Sequence, residues 1–400
     1  MNLLNDINLG APVSTKKLSI QGQTKTFDVY RVPIEFLIYN KKNGRIATYV
    51  SQFIDEGKEF PTDNIIEFNN IIEKYIELSN PEALKKTKAN IKIMSQTEPA
   101  VIMSNGIVLD GNRRFTSLRQ LSREGAGAEF SYLEAVILES DTYSEKDIKR
   151  LELNLQHAIE SKVDYNPIDR LVDIYRDLIE DGGTFTPEEY ARETQMSLTK
   201  VNEEIEISKL MLEYLEYIAQ PKKFYIARQQ KIDGPIREVE KILKSKKIDQ
   251  TQIDDIKEFL FLNILSLEGD VSRKIRDLKP VFEDWDLGTS LINEVDERQI
   301  FDDANDFFEK ENSKNDLSDT SILNLTENIK NKVIDITEGY VETKKLSTAK
   351  NKPVVILNKV NSLLKDVDID SVVRLNEELR EEFNQILNSI EEQLRELGKK

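Results

Sequence analysis

The segment Asn105–Leu121, NGIVLDGNRRFTSLRQL, gathers residue types that bind phosphate. Ile107, Val108 and Leu109 make a short apolar strand running into Asp110-Gly111-Asn112-Arg113-Arg114. Phe115, Leu118 and Leu121 then recur on one helical face. A strand, a glycine turn and a helix start aim free backbone N–H groups and the positive end of a helix at one spot. Gly111 lets a phosphate approach the main chain closely. Two consecutive arginines can fork onto phosphate oxygens. Asp110 is the candidate catalytic group, placed either to hold a metal or to fix an arginine. The pattern is not the phosphate loop ending in Gly-Lys-Ser/Thr. A capped helix with exposed arginines is the alternative reading.

A second stretch is Arg150–Asp169, RLELNLQHAIESKVDYNPID. Asn154 and Gln156 sit among leucines, followed by His157 and a helix start at Asn166-Pro167. Side-chain amides on an apolar helix need partners, from a ligand, from backbone or from a neighbouring loop. A third stretch, Thr186–Tyr217, reads as two helices with a brief break at Gln195-Met196-Ser197. Ser197, Thr199, Lys200 and Asn202 open the second helix within reach of DNA, although the stretch holds eight acids against three bases, and a structural or protein-docking module is the alternative. Residues 220–247 reverse that balance, with nine bases, among them Lys222, Lys223 and Arg228, against three acids. Phe224 and Tyr225 are interleaved there. The patch suits a phosphate backbone, or else a solvated face that pairs with the acidic third part of the chain, 266–400, of the same or another molecule.

The elements that would position these residues follow from the rest of the chain. Its 400 residues are 39% hydrophobic and 32% charged, enough for several domains with a real core. There is no cysteine, which excludes disulfides, thiolate metal sites and a cysteine nucleophile, and the single His157 excludes a multi-histidine metal site. The net charge of −17 argues against indiscriminate coating of nucleic acid or anionic membrane. No apolar run reaches the roughly 18 residues of a membrane span, and the first residues lack the pattern of a secretory signal. The chain therefore reads as cytoplasmic, without a membrane partner.

Up to about residue 160, near-alternating apolar residues predict strands at Lys17–Gln21, Phe27–Val32, Ala100–Met103, Ile107–Leu109 and Leu133–Leu138. Asn105-Gly106 predicts a tight hairpin. Helical spacing predicts a helix over Asn64–Leu78, stopped by Asn80-Pro81. From 161 to 265 the chain reads as helix throughout, with Asp181-Gly182-Gly183 ending one helix and Thr186-Pro187-Glu188-Glu189 opening the next. From 266 to 400 it reads as helical and acidic. Glu309–Ser318 is expected to be a mobile loop and Lys344–Pro353 a break. Ser371–Leu397 carries Val372, Leu375, Leu379, Phe383, Ile386, Ile390, Leu394 and Leu397 at steps of three and four, a coiled-coil or helical-hairpin seam.

Taken in order, five segments resemble the ParB family and its wider ParB/sulfiredoxin-like superfamily. They are Val32-Pro33-Ile34 with Tyr39–Ile46, then Gln96–Ile102, then Gly111-Asn112-Arg113-Arg114, then Asn154-Leu155-Gln156-His157, then Asn166-Pro167-Ile168-Asp169. The resemblance covers about residues 27 to 217. It implies an α+β, ParB/sulfiredoxin-like nucleotide-binding domain over 1–160. A helix-turn-helix domain over 161–265 and an acidic helical region over 266–400 would follow.

It also implies a nucleoside triphosphate, CTP or ATP, with Mg2+. Gly111, Asn112, Arg113 and Arg114 would hold phosphates, Arg45 would line the pocket, Asn154 and the neighbouring Glu152 would face the metal, and Gln156 would lie nearby. Three departures stand out: Leu153 occupies the place of the family's metal-facing glutamate, His157 that of its arginine, and about 53–86 is an extra helical insertion. Phosphate binding is thus implied more directly than hydrolysis, with weak nucleoside triphosphatase activity the most that the residues would support. The first reading is a bacterial-type, homodimeric regulator whose nucleotide controls DNA or partner binding. The others are a nucleotide-independent scaffold that docks a basic protein through its acidic C-terminal helices, and a metal-dependent nuclease or kinase.

Overall fold

The computed structural model describes residues 4, 7–159, 166–312, 324–365 and 367–398, with the side chains of residues 156–159, 355 and 370 outside that set. Six strands form one mixed sheet: β1 (Ser14–Ile20), β2 (Gln23–Pro33), β3 (Ile38–Tyr39), β4 (Ala100–Met103), β5 (Ile107–Asp110) and β6 (Tyr132–Leu138). The order across the sheet is β1-β2-β6-β4-β5-β3. The β3–β5 and β4–β6 pairs are parallel and the others antiparallel. The β4–β5 turn is the expected hairpin, and Gly106 is required there. Its φ is +87°, and a Cβ would lie 2.4 Å from the Phe36 carbonyl oxygen.

Strand alternation sends successive side chains to opposite faces. Ala100, Ile102, Val108, Leu133 and Ala135 enter one cluster, while Val101, Met103, Leu109, Val136 and Leu138 enter another. The sheet is therefore covered on both faces. The first four helices are α1 (Ala47–Asp55), α2 (Ile65–Ser79), α3 (Pro81–Met94) and α4 (Asn112–Arg123). Phe115, Leu118 and Leu121 of α4 and Ile72 and Ile76 of α2 cover one face. Leu151 and Leu155 of α5 (Glu145–Ile159) cover the other. On the far side of α5, Leu153 joins Ile174, Phe185 and Tyr190, so one helix glues the sheet to the helices that follow.

Those helices begin where the sequence places caps. Asn166 accepts from the Ile168 amide ahead of α6 (Pro167–Ile174), and Thr186 and Glu189 form a capping box ahead of α7 (Pro187–Thr194). The helix expected to run on from α6 closes instead with a π turn over Tyr175–Ile179. Next come α8 (Leu198–Tyr217), α9 (Phe224–Gln229), α10 (Asp233–Leu243), α11 (Ile253–Ser266), α12 (Val271–Phe282), α13 (Trp285–Glu297) and α14 (Ile300–Asn312).

The chain forms two compact units, Met1–Thr337 and Glu338–Lys400, so the division expected at 265/266 falls elsewhere. The helices after residue 266 pack onto those before it. Thr337, near the start of α15 (Glu327–Lys365), donates to the buried Asn263 of α11 at 2.7 Å. The expected break at Lys344–Pro353 is absent, because α15 runs straight through Pro353. A proline removes one helical N–H, and on a solvent-facing helix water can take the carbonyl it leaves unpaired. The expected terminal helix is two, α16 (Ile369–Val373) and α17 (Glu377–Leu397), because Asn376 caps the second by accepting from the Leu379 amide. Of the expected loop Glu309–Ser318, residues up to 312 continue α14 and the rest lie outside the described residues. Among the described residues, no helix is long and apolar enough to cross a membrane.

Candidate functional site

Strand β5 ends at Asp110, Gly111 turns the chain, and α4 starts at Asn112. Gly111 has φ +99°, and a Cβ there would sit 2.8 Å from the Ala100 Cβ and 3.1 Å from the Arg114 guanidinium. Both the backbone conformation and the space demand glycine. No side chain caps this helix start and no acid stands in its first turn. The first-turn N–H groups have no partner within the helix.

These residues line a cleft of about 210 Å3 together with Asn43 and Arg45, Ile76 and Ser79 of α2, Thr87 of α3 and Leu155 of α5. That is below the roughly 300–1,000 Å3 of drug-sized pockets. Arg45, Gly111, Asn112, Arg113 and Arg114 all meet here, as does Asp110.

Their roles within the cleft differ. Arg114 donates to the Glu98 carbonyl at 2.6 Å and to Asp110 Oδ2 at 2.8 Å, so it braces the turn. Of the two roles expected for Asp110, the structure has it fixing an arginine. Asn112 is 7% exposed, and its Oδ1 is buried without a hydrogen-bond partner. Buried amides of this kind usually meet a polar partner.

Asn154 and Glu152 are not part of the cleft. The Asn154 amide donates to Glu193 Oε2 of α7 at 3.2 Å. Glu152 is buried and accepts from the Asn40 amide at 2.5 Å. Burial pushes its carboxyl up to about 7, against the pull of Lys149, with Asp173 and Asp177 adding to the rise. The helical period explains both placements: Leu151 and Leu155 take the sheet-facing side of α5, which turns residues 152 and 154 away. Gln156 and His157 lie on α5, but their side chains are outside the described residues. Among the described residues, no group of three or more His, Cys, Asp or Glu could hold a metal. Among the described residues, the lining is compatible with phosphate through Arg45, Arg113 and Arg114 and supplies no carboxylate set for Mg2+.

The DNA candidates divide in the same way. Thr199 and Asn202 are exposed at the start of α8, but Lys200 pairs with Glu203 and Glu204 at 2.9 and 3.0 Å. In the basic stretch, Lys222 pairs with Glu180, Lys223 with Asp55, Arg228 with Asp169, Arg237 with Glu204, Lys241 with Glu238 and Lys244 with Glu240. The basic excess counted along 220–247 is therefore largely neutralised in the fold. A local count misses it because Asp55, Glu180 and Asp169 come from elsewhere in the chain.

Sequence reasoning missed Asn43, Ser79 and Thr87. Asn43 has a visible signal, since it precedes Gly44-Arg45 and accepts from the Arg45 amide at 3.1 Å. Ser79 and Thr87 have none, because only the packing of α2 and α3 brings them to the cleft. Compared across known protein families, curated proteins and solved structures, the chain matches none.

Proposed function

We propose that this chain is a ParB-like regulatory protein whose cleft takes the phosphate tail of a nucleoside triphosphate, CTP or ATP. One observation carries the reading. Arg45 and Arg113 line the same small cleft as the uncapped start of α4, beside a buried Asn112 oxygen that lacks a partner. Cationic side chains and an open helix start together form an anion site, and the Asn112 oxygen, an acceptor, would take a hydrogen-bond donor from another part of the ligand. Regulation fits better than turnover, because Asp110 is committed to Arg114. Titrating CTP, ATP and GTP calorimetrically into wild type, Arg113→Ala and Arg45→Ala tests this. Wild type should bind, and each variant should bind about tenfold more weakly, since a charge-assisted bond is worth roughly 1.5–3 kcal/mol. Equal affinity in all three proteins, or none in any, removes the reading.

A second reading, a nucleotide-independent scaffold, is favoured by the unit Glu338–Lys400. There Leu379, Ile386, Leu394 and Leu397 of α17 are 48, 54, 43 and 62% exposed along one helix. Such a row suits a protein partner or a second copy. A stoichiometric partner that is lost when 338–400 is deleted, in a preparation without nucleotide, would favour it.

A further inference from the structure

The segment Asn40–Thr48 carries the cleft residues Asn43 and Arg45, and a buried carboxylate holds it at each end. At the first end the Asn40 amide donates to Glu152 of α5, while the Asn40 oxygen accepts from the Lys42 amide at 2.9 Å. At the second end the Thr48 backbone N–H donates to Asp169 Oδ1 of α6 at 3.3 Å. Asp169 is 1% exposed and Thr48 fully buried. Arg228, from α9, closes this second clamp. One of its guanidinium nitrogens donates to both Thr48 Oγ1 at 2.9 Å and Asp169 Oδ2 at 2.8 Å. Its guanidinium also lies 4.2 Å from the centre of the Tyr49 ring.

The rest of α9 and the residues before it grip α1, which continues directly from the segment. The Tyr225 hydroxyl donates to Asp55 Oδ2 at 2.7 Å, and Lys223 pairs with the same carboxylate at 3.5 Å. The docking of α9 therefore sets where α1 begins, and so where Arg45 stands two residues earlier. We infer that Arg228 and Asp169 are positioning residues for the anion cleft, coupling ligand affinity there to the docking of α9. The inference rests on the cleft reading above. It reassigns Arg228 from a nucleic-acid contact to an internal strut between the helical layer and the phosphate site.

Coupling of this kind is reciprocal: whatever α9 does to ligand affinity, ligand does to α9. The test is calorimetric binding of CTP, ATP and inorganic tripolyphosphate to the full chain, with amide hydrogen exchange of residues 43–48 and 224–229 followed with and without ligand. Arg228→Ala should weaken binding about tenfold and speed exchange across 43–48. In the wild type, ligand should slow exchange across 224–229, a distant response that a merely structural salt bridge would not give. Tyr225→Phe deletes only the hydroxyl grip on Asp55 and should weaken binding about two- to threefold, so the idea can be tested even if Arg228→Ala fails to fold. Wild-type affinity in Tyr225→Phe together with unchanged exchange at 224–229 overturns the inference and leaves the cleft reading standing. A wild type that binds none of the three ligands removes both.

Discussion

Two helix starts in this protein share a design: a turn, a small polar residue and a basic side chain in the first helical turn. They nevertheless reach opposite ends. At Gly111–Arg114 the turn is glycine in the left-handed region, no side chain caps the helix, no acid follows, and the start opens on a cleft with Arg45. At Ser197–Lys200 the Ser197 hydroxyl accepts from the Lys200 amide, and the Lys200 ammonium is taken by Glu203 and Glu204. Arg237 also holds Glu204, at 2.8 Å. The first start has no side-chain cap and opens on a cleft, with Arg114 held by Asp110, whereas the second is capped by Ser197 and its lysine is held by two glutamates. A basic residue at a helix start therefore says little about ligands until its cap and its acidic neighbours are known.

The largest expected effect comes from closing the first start. Gly111→Val puts a branched side chain at φ +99° against Ala100. It should cost about 3 kcal/mol or more in denaturant unfolding and abolish nucleotide binding. A stable, binding Gly111→Val protein would break the contrast at its root.

The helix packed between the two regions gives the next effect. Burial raises Glu152 to about 7, with Asp173 and Asp177 adding to the rise. It raises Asp169 and Asp177 to about 6. The folded protein holds these protons where the unfolded chain releases them. Their stabilising contribution is therefore complete below about pH 4 and is lost as pH rises through 6 to 7. Glu152→Gln should gain roughly 1–3 kcal/mol at pH 8 and flatten the stability curve between pH 5 and 7. An unchanged pH profile would contradict the assignment.

Smaller changes sharpen the comparison. Arg113→Ala should lose about tenfold in triphosphate affinity with thermal stability nearly unchanged, the loss shrinking as salt is raised. Ser197→Ala should do the reverse, costing about 1 kcal/mol of stability and leaving nucleotide affinity alone. Lys200→Ala should cost under about 1 kcal/mol, because Lys200 is 42% exposed and Arg237 still holds Glu204. Retention of the protein on a DNA column should not change with it. A clear loss of retention would restore a DNA role to the second start.

Much of the local structure was legible. The strands at 100–103 and 107–110, the turn at Asn105-Gly106, and the caps at Asn80, Asn166 and Thr186 all follow from backbone preferences that act over a few residues. The convergence of Arg45 with Gly111–Arg114 was expected only through the ordered motifs. The pairing of Asn154 with Glu193 and the burial of Glu152 were not legible. For residues 220–247 pairing with acids was one of the two readings, and Lys241–Glu238 and Lys244–Glu240 lie at helical spacing, but Asp55, Asp169, Glu180 and Glu204 come from other elements and no local spacing encodes their arrival.

The sequence by itself determined many of the strands, turns and helix caps, and that thiolate and multi-histidine chemistry are absent. Those are matters of steric preference and of which atoms the chain possesses. Tertiary structure alone decided which charges remain to face a ligand. An ion pair forms where two side chains meet, and Asp169 meets Arg228 across 59 positions of chain only because the fold brings α6 and α9 together.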